Sequence, residues 1–175
     1  GVESGSDRIL QEVIQKETTY AINLEARRVA QRHGIRFKAF TMVGNPSETR
    51  EDIALTKKWL LEARPDDFDV TVLSPMPGSP IYDRAYPQEV RRDFEVPGFP
   101  RFQLDFAQRD FAQQESFYKT VPGEYKAWTA TPTISASELE EIRDQIDQEV
   151  RQVLGLPAIS RQDLSPFEHS MGQSG

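Results

Sequence analysis

The hydrophobic and polar positions along the chain predict helices that alternate with two short apolar strands. The stretches from about Arg36 to Val43 and from about Phe68 to Ser74 are mostly apolar, which is typical of strands covered on both faces of a parallel sheet. Between them, Thr49 with Asp52 three residues later resembles a capping box, and helical spacing continues to about Ala63. The order strand, helix, strand predicts a parallel α/β unit.

Two more helices are predicted before the first strand. Ser6 is placed to cap the first, and Thr18 or Thr19 can start the second. Gly34 stands where a left-handed residue commonly ends a helix. The apolar positions of the second helix are Ile22, Ala26, Val29 and Ala30.

The periodicity is lost after residue 86. Nine of the 17 aromatic residues lie between Phe94 and Trp128, which argues against disorder. We therefore interpret residues 87–134 as an irregular cap or linker with short helical pieces, packed on the domain surface. Plain packing and a role as a lid or substrate wall both remain open for this segment.

A further helix is predicted over residues 135–155. Ser135 and Glu138 form a capping box at its start, and Gly155 ends it. We interpret its apolar stripe as a docking face, and residues 156–175 as a flexible tail. The stripe consists of Leu139, Ile142, Ile146, Val150 and Val153.

Composition and charge exclude several classes of function. The chain has 175 residues with a net charge of −7, and no basic stripe is present, so we do not expect a nucleic-acid partner. No apolar run approaches the roughly 18 residues that a membrane span requires, and we do not expect a signal peptide. We expect a cytoplasmic location.

Metal and nucleophile chemistry are also constrained. The chain has no cysteine, which excludes disulfides and thiolate-bound metal within it. Its two histidines are far apart, so no metal site is predicted. There is no Ser/His/Asp set, no Walker loop and no Gly-x-Gly-x-x-Gly motif.

The loops after the strands hold the residues that are candidates for ligand binding. Glu3 and Ser4 stand where a strand would deliver them to the mouth of a site, and a carboxylate accepts hydrogen bonds from ribose hydroxyls or an ammonium group. Gly44 allows close backbone approach to a flat ligand, although a simple tight turn also explains it. Glu48 gains roughly 0.3–1 kcal/mol at a helix N-terminus, which alone could account for it. Residues 75–80 fix a rigid turn.

Three segments together resemble the C-terminal half of a radical S-adenosylmethionine domain, of the kind often preceded by a cobalamin-binding domain. Gly1–Leu10 is similar to the end of that family's fourth strand and the helix after it. Phe40–Thr49 is similar to its fifth-strand motif, often Gly-x-Pro-Gly-Glu-Thr, with Ser47 in place of the second Gly. Leu73–Tyr82 is similar to its sixth-strand motif, often Pro-Gly-Thr-Pro. The resemblance covers about residues 1–86.

The resemblance implies a partial (β/α)6 barrel, of which residues 1–86 would be the C-terminal half. It implies S-adenosylmethionine and a 4Fe-4S cluster with ligands outside this chain, and also cobalamin on a domain outside it. Because the cysteines are absent, we expect a fragment that is inactive alone. The residues implied to bind S-adenosylmethionine are Glu3 and Ser4 on the ribose or methionine side, Met42, Val43 and Gly44 along the adenine or ribose, and Leu73, Ser74 and Pro75 on the adenine side.

Several functions remain open. The resemblance implies a radical reaction such as cobalamin-dependent methylation or cyclisation, with a small-molecule substrate and a reductant such as flavodoxin or ferredoxin. We rank a methylthiotransferase acting on transfer RNA lower, because the C-terminal part is acidic and lacks a basic RNA-binding module. The alternatives are a phosphate-binding (β/α)-barrel enzyme and a non-catalytic binding domain.

Overall fold

A computed structural model of the chain describes residues 1–74, 91–95, 101–105, 121–127 and 129–160, with the backbone alone for 91–95 and 101–105. Within these residues the architecture is α/β, with one parallel and one antiparallel sheet. None of the helices that the structure describes combines the length and the hydrophobicity that crossing a bilayer requires.

The parallel unit consists of two strands and the helix between them. Strand β1 (Lys38–Val43) pairs in parallel with β2 (Asp67–Val72), in a register that joins Val43 to Val72. The predicted strands are confirmed, with their bounds moved by up to two residues. This helix is α2, the second α-helix of the chain after α1 (Tyr20–Arg32), and it spans Arg50–Ala63. Both hydrogen bonds of its predicted capping box between Thr49 and Asp52 are present.

The helices pack on one face of the parallel sheet. That face is formed by alternate strand residues, among them Ala39 and Val70, and it contacts a core to which all three α-helices contribute. On the other face, the Phe40 side chain is 38% exposed and Lys38 forms ion pairs with Asp67 and Asp69. The expectation that β1 is covered on both faces is therefore not met within the described residues.

The N-terminal region contains a π-helical turn, Ile9–Val13, and helix α1, Tyr20–Arg32, which is capped by Thr19. The start of α1 is as predicted, but its predicted inner face is wrong. Ile22 is 57% exposed and Val29 is 40% exposed. The buried residues of α1 are Leu24 and Arg27.

The region predicted to be irregular contains an antiparallel sheet. Strand β3 (Arg91–Glu95) pairs with β4 (Arg101–Asp105), which in turn pairs with β5 (Thr129–Ala130). The interpretation of 87–134 as an irregular segment is therefore wrong for residues 91–95, 101–105 and 129–130, and most of the other residues of that range lie outside the described part of the chain. Because Phe94 is the only apolar residue of β3, that strand carries no readable alternation of polar and apolar positions. Strand β4 does alternate, with Phe102 and Leu104 between polar residues, but five residues are too short a run to stand out among the surrounding aromatic residues.

Helix α3 spans Ala136–Leu154, with a capping box between Ser135 and Glu138 and with Gly155 in the left-handed conformation at its end. Both boundaries are as predicted. The stripe is only partly right, because Val153 is 60% exposed. The side chains that α3 buries are Leu139, Arg143, Ile146, Asp147, Val150 and Arg151. Most of the predicted tail, from residue 161 on, lies outside the described residues.

Candidate functional site

Three chain segments end side by side at the C-terminal end of the parallel sheet, which we call the shared sheet edge. Glu3 forms a parallel bridge with Thr41 of β1, and its backbone is hydrogen-bonded to Phe40 and Met42. Since β1 and β2 are also parallel, the segments that follow Glu3, β1 and β2 all start at the same edge. This edge is where ligands bind in open parallel α/β folds. Of the eight predicted site residues, seven lie near it, and Pro75 lies outside the described residues.

Glu3 has both an unusual backbone and an available acceptor atom. Its φ of 65° lies in the left-handed region, which non-glycine residues seldom adopt. Its Oε1 accepts a hydrogen bond from Lys16 Nζ at 3.0 Å. Within the residues that the structure describes, Oε2 has no hydrogen-bond partner, and the side chain is only partly buried. Glu3 therefore presents a carboxylate oxygen that can accept a further hydrogen bond.

Ser4, in contrast, is fully buried and binds inside the protein. Its Oγ lies 3.3 Å from Thr56 Oγ1 and accepts the backbone N–H of Ser6 at 3.1 Å. The backbone N–H of Gly5 donates to the same Thr56 hydroxyl at 2.9 Å. Ser4 thus attaches the first loop to α2, and its hydroxyl is already used within the protein.

Gly44 directly follows β1 and has a φ of +79°. A Cβ atom at this position would lie 3.0 Å from Leu139 Cδ1 and 3.2 Å from Val72 Cγ1. Packing against α3 and β2, together with the turn, is therefore enough to require glycine here. Met42 is partly buried, and Val43 belongs to the core.

The loop after β2 is joined to the C-terminal half of the chain. The backbone carbonyl of Leu73 accepts a hydrogen bond from Thr129 Oγ1 at 2.8 Å. The hydroxyl of Ser74 donates to the carbonyl of Val72 at 3.3 Å and is partly exposed. Of the two residues, Ser74 is the one with a side chain that can contact a ligand.

Asp52 joins the first loop, which follows Glu3, to the second loop, which follows β1. The sequence analysis missed this role. Its Oδ1 accepts from Ser6 Oγ at 2.6 Å, and its Oδ2 accepts from the backbone N–H of Thr49 at 3.0 Å and from Arg8. Burial alone would raise the pKa of Asp52, but the hydrogen bonds from Arg8 and Ser6 hold it below its ordinary value. The carboxylate therefore fixes the two loops relative to each other. The sequence shows only its capping role, because Ser6 is 46 positions away.

The contacts of Ser47 explain how a serine can stand where the fifth-strand motif usually has its second glycine. Its φ is 60°, a conformation that suits the glycine usual at this position. Arg8 donates to Ser47 Oγ at 3.1 Å and to the Ser47 carbonyl at 3.0 Å. These contacts hold the serine in the conformation that the loop needs.

Glu48 is a buried carboxyl group beside this loop. Its Oε2 accepts from the backbone N–H of Asn45 at 3.0 Å, and its Oε1 has no hydrogen-bond partner among the described residues. Burial raises the pKa of Glu48 to about 8, although bonds from Asn45 and Gly44 oppose the shift; the charge of Asp52 adds to it. Glu48 is therefore mostly protonated at neutral pH, a state that its position in the sequence does not reveal.

We expect Glu48→Gln to remove a pH dependence of stability. The pKa of about 8 in the folded state exceeds the ordinary value of 4.5. The stabilising contribution of the protonated carboxyl is thus complete below about pH 4.5 and is lost as pH rises to about 8. The free energy of unfolding of the Gln variant, relative to wild type, should rise across this window by up to about 1.4 kcal/mol per pH unit.

Urea titrations at several pH values measure this difference. Glu51→Gln in the first turn of α2, three residues after Glu48, is the control, because the Glu51 side chain is exposed and its pKa is lowered by backbone and Thr49 hydrogen bonds. Its effect should be confined to acidic pH. A pH-independent difference between Glu48→Gln and wild type would show that Glu48 is ionised in the folded chain.

The described residues contain no group of three His, Asp or Glu side chains that could hold a metal ion. With no cysteine in the sequence, the donor set of this chain does not fit a 4Fe-4S cluster. The Glu3 carboxylate, the Ser74 hydroxyl and the loop backbones do fit contacts to the polar groups of a nucleoside.

Comparison with known proteins gives relatives of one main kind. The chain is 36% identical over 83 residues to a provisionally named methylthiotransferase of Methanocaldococcus jannaschii, covering 47% of this chain and 18% of that protein. It is 32% identical over 124 residues to a tRNA-2-methylthio-N(6)-dimethylallyladenosine synthase of Ehrlichia canis, covering 70% and 27%. It is 33% identical over 85 residues to an uncharacterized methyltransferase of Pyrococcus horikoshii, covering 49% and 18%.

The chain is related to radical S-adenosylmethionine methylthiotransferases. It spans 18% to 27% of the length of the curated relatives named above, and no protein-family model matches it. The relatives support the relationship to radical S-adenosylmethionine enzymes that the motifs indicate. They do not support the cobalamin-associated group.

Proposed function

We propose that the chain is part of a radical S-adenosylmethionine enzyme, in which the three loops at the shared sheet edge form one wall of the cofactor pocket. The observation that carries this proposal is the parallel alignment of Glu3, β1 and β2. We further propose that this unit belongs to a partial (β/α)6 barrel. S-adenosylmethionine held at this wall would supply radical chemistry to the whole enzyme, together with a 4Fe-4S cluster and a reductant such as flavodoxin or ferredoxin, both bound by parts outside this chain.

Within this proposal the residues of the chain bind and orient the cofactor. Glu3 Oε2 accepts a hydrogen bond from a ribose hydroxyl or from the methionine ammonium. The backbone from Met42 to Gly44 and the loop that begins at Leu73 and Ser74 lie along the adenine and ribose. Ser4, Asp52 and Arg8 hold these loops in place without contacting the cofactor. Such positioning of reactants is the main contribution of a protein to cofactor chemistry.

For the reaction subtype, we favour methylthio transfer over cobalamin-dependent methylation or cyclisation. Most of the relatives that the comparison finds carry methylthiotransferase or methylthio-adenosine synthase names. This reverses the order suggested by the acidic composition. With a net charge of −7, we propose that any RNA contact is made by parts of the enzyme outside this chain. A small-molecule substrate is the alternative.

The proposal is tested by Glu3→Ala in the whole, cluster-loaded enzyme. A hydrogen bond to a charged group contributes roughly 1.5–3 kcal/mol, so its loss should weaken S-adenosylmethionine binding by about 10- to 100-fold. Isothermal titration calorimetry measures the change, and Glu3→Gln, which keeps one acceptor, should have a smaller effect. Glu17→Ala on the exposed turn before α1 serves as the control.

Unchanged affinity of Glu3→Ala would remove Glu3 from the cofactor site. A separate assay addresses the class of reaction. Release of 5′-deoxyadenosine by the reduced enzyme supports the radical mechanism. An enzyme that binds phosphate esters and forms no 5′-deoxyadenosine would instead support the ordinary (β/α)-barrel alternative. A protein with neither property would support the non-catalytic binding domain.

A further inference from the structure

The outer edge of β2 carries backbone groups that point away from β1. In a parallel pair, alternate residues direct their backbone groups to the neighbouring strand. The N–H of Leu73 donates to the carbonyl of Val43, the last residue of β1. The backbone N–H and C=O groups of Phe68, Val70 and Val72 therefore point to the lateral side of β2 that is opposite β1. Among the described residues, no strand pairs with that edge.

Side chains from the C-terminal half of the chain occupy this edge in order along the strand. Arg151 Nη2 donates to the carbonyl of Phe68 at 2.8 Å, and Arg143 Nε donates to the carbonyl of Val70 at 3.0 Å. Next, the N–H of Val72 donates to the Tyr125 hydroxyl at 2.9 Å. Just beyond the end of β2, Thr129 Oγ1 donates to the carbonyl of Leu73, a residue whose N–H is bonded to β1, at 2.8 Å. We call Tyr125, Thr129, Arg143 and Arg151 the edge cap.

The edge cap is buried and rigidly supported. All four residues are less than a tenth exposed. The guanidinium of Arg143 lies 4.8 Å from the Tyr125 ring centre, and that of Arg151 lies 4.7 Å from the Phe68 ring centre. Arg143 also pairs with Asp144 at 2.6 Å, and Arg151 with Asp147 at 2.9 Å. Residues Tyr125 and Thr129 on one side and helix α3 on the other thus contribute to one row of contacts.

We propose that the edge cap takes the place of a further strand and prevents β2 of one copy of the chain from pairing with β2 of a second copy. An uncovered edge strand is a template for pairing with another chain. Two copies of one edge can pair around a twofold axis, since identical surfaces are then self-complementary. The apolar residues Phe68, Val70 and Val72 give this strand a high tendency to pair once the cap is lost.

The test removes cap hydrogen bonds while keeping side-chain volume. Tyr125→Phe with Thr129→Val deletes two hydroxyl groups from the edge cap. Because the chain has no cysteine, Thr71→Cys in β2 adds a single reporter for a short bismaleimide cross-linker. We expect the cap variant to rise in mass from 20.0 kDa towards twice that value as concentration increases. We also expect cross-linked dimers, which the capped chain with the same reporter should not form.

The matched control is Tyr20→Phe with Thr133→Val, which removes two hydroxyl groups outside the edge cap. It should stay monomeric by light scattering. A monomeric cap variant, a dimer that is not cross-linked through residue 71, or cross-linking of the capped chain would each overturn the proposal. If the double variant loses its helical circular dichroism, Tyr125→Phe alone decides the question with the same measurements.

Discussion

Gly5→Ala is expected to lower the free energy of unfolding by about 3 kcal/mol or to prevent folding of the chain. A Cβ atom on Gly5 would lie 2.3 Å from the carbonyl oxygen of Leu55 and 2.7 Å from the Cα of Thr56. Both atoms belong to the backbone of α2, so no side-chain rotation relieves the clash. Overpacking usually costs about 1–3 kcal/mol, and a backbone contact belongs at the top of that range.

Urea denaturation followed by circular dichroism measures this loss. Gly34→Ala is the control, because its φ is +67° and a Cβ there has nothing within 4 Å. The free energy of unfolding of that variant should fall by only about 1 kcal/mol, the cost of placing an alanine in the left-handed conformation. Equal losses in the two variants would mean that the first loop moves away from α2 without penalty. The hydrogen bonds of Ser4 and Gly5 to the Thr56 hydroxyl would then not determine the shape of the site.

Local capping signals explain why helices α2 and α3 could be predicted. Both capping boxes, at Thr49 and at Ser135, lie within four consecutive residues, and both helices end at residues in the left-handed conformation. These hydrogen bonds form within one turn of chain, so they depend little on the rest of the fold. The helix bounds could therefore be derived from the sequence alone.

The buried faces of α1 and α3 could not be derived in the same way. Arg27 is buried because its guanidinium donates to the carbonyl of Arg64 at 3.0 Å, a contact between residues 37 positions apart. In α3, Arg143 and Arg151 are buried because the edge of β2 needs donors. Hydrophobic periodicity assigns charged residues to the solvent side, so it misses positions where a long-range backbone acceptor binds them.

For the candidate site, the sequence located the loops but not the direction of their side chains. The turn motifs placed Glu3, Gly44 and Ser74 near one edge, because parallel strands end together. The inward orientation of Ser4 depends on Thr56, 52 positions away. The protonation of Glu48 depends on its complete burial. Neither property is encoded within the motif itself.

The second large effect is expected for Arg151→Met, which should lower the free energy of unfolding by about 3–5 kcal/mol. Arg151 donates to Asp147 at 2.9 Å, and the two side chains are 6% and 2% exposed. Removing the guanidinium leaves the Asp147 carboxylate buried without its partner. It also removes the donor to the Phe68 carbonyl and the contact with Asp67 at 3.2 Å.

Two comparisons separate the loss of the buried pair from the loss of charge alone. Arg32→Met breaks the exposed pair with Glu25, where both side chains are more than half exposed, and should change stability by less than about 1 kcal/mol. Adding Asp147→Leu to Arg151→Met removes the unpaired carboxylate and should recover a large part of the loss, because a buried charge pair can often be replaced by apolar side chains. If the double variant is no more stable than Arg151→Met, the stability depends on the hydrogen bond to the β2 edge rather than on the ion pair. If Arg151→Met itself matches Arg32→Met, the buried pair contributes little, and α3 is held on β2 by its apolar residues.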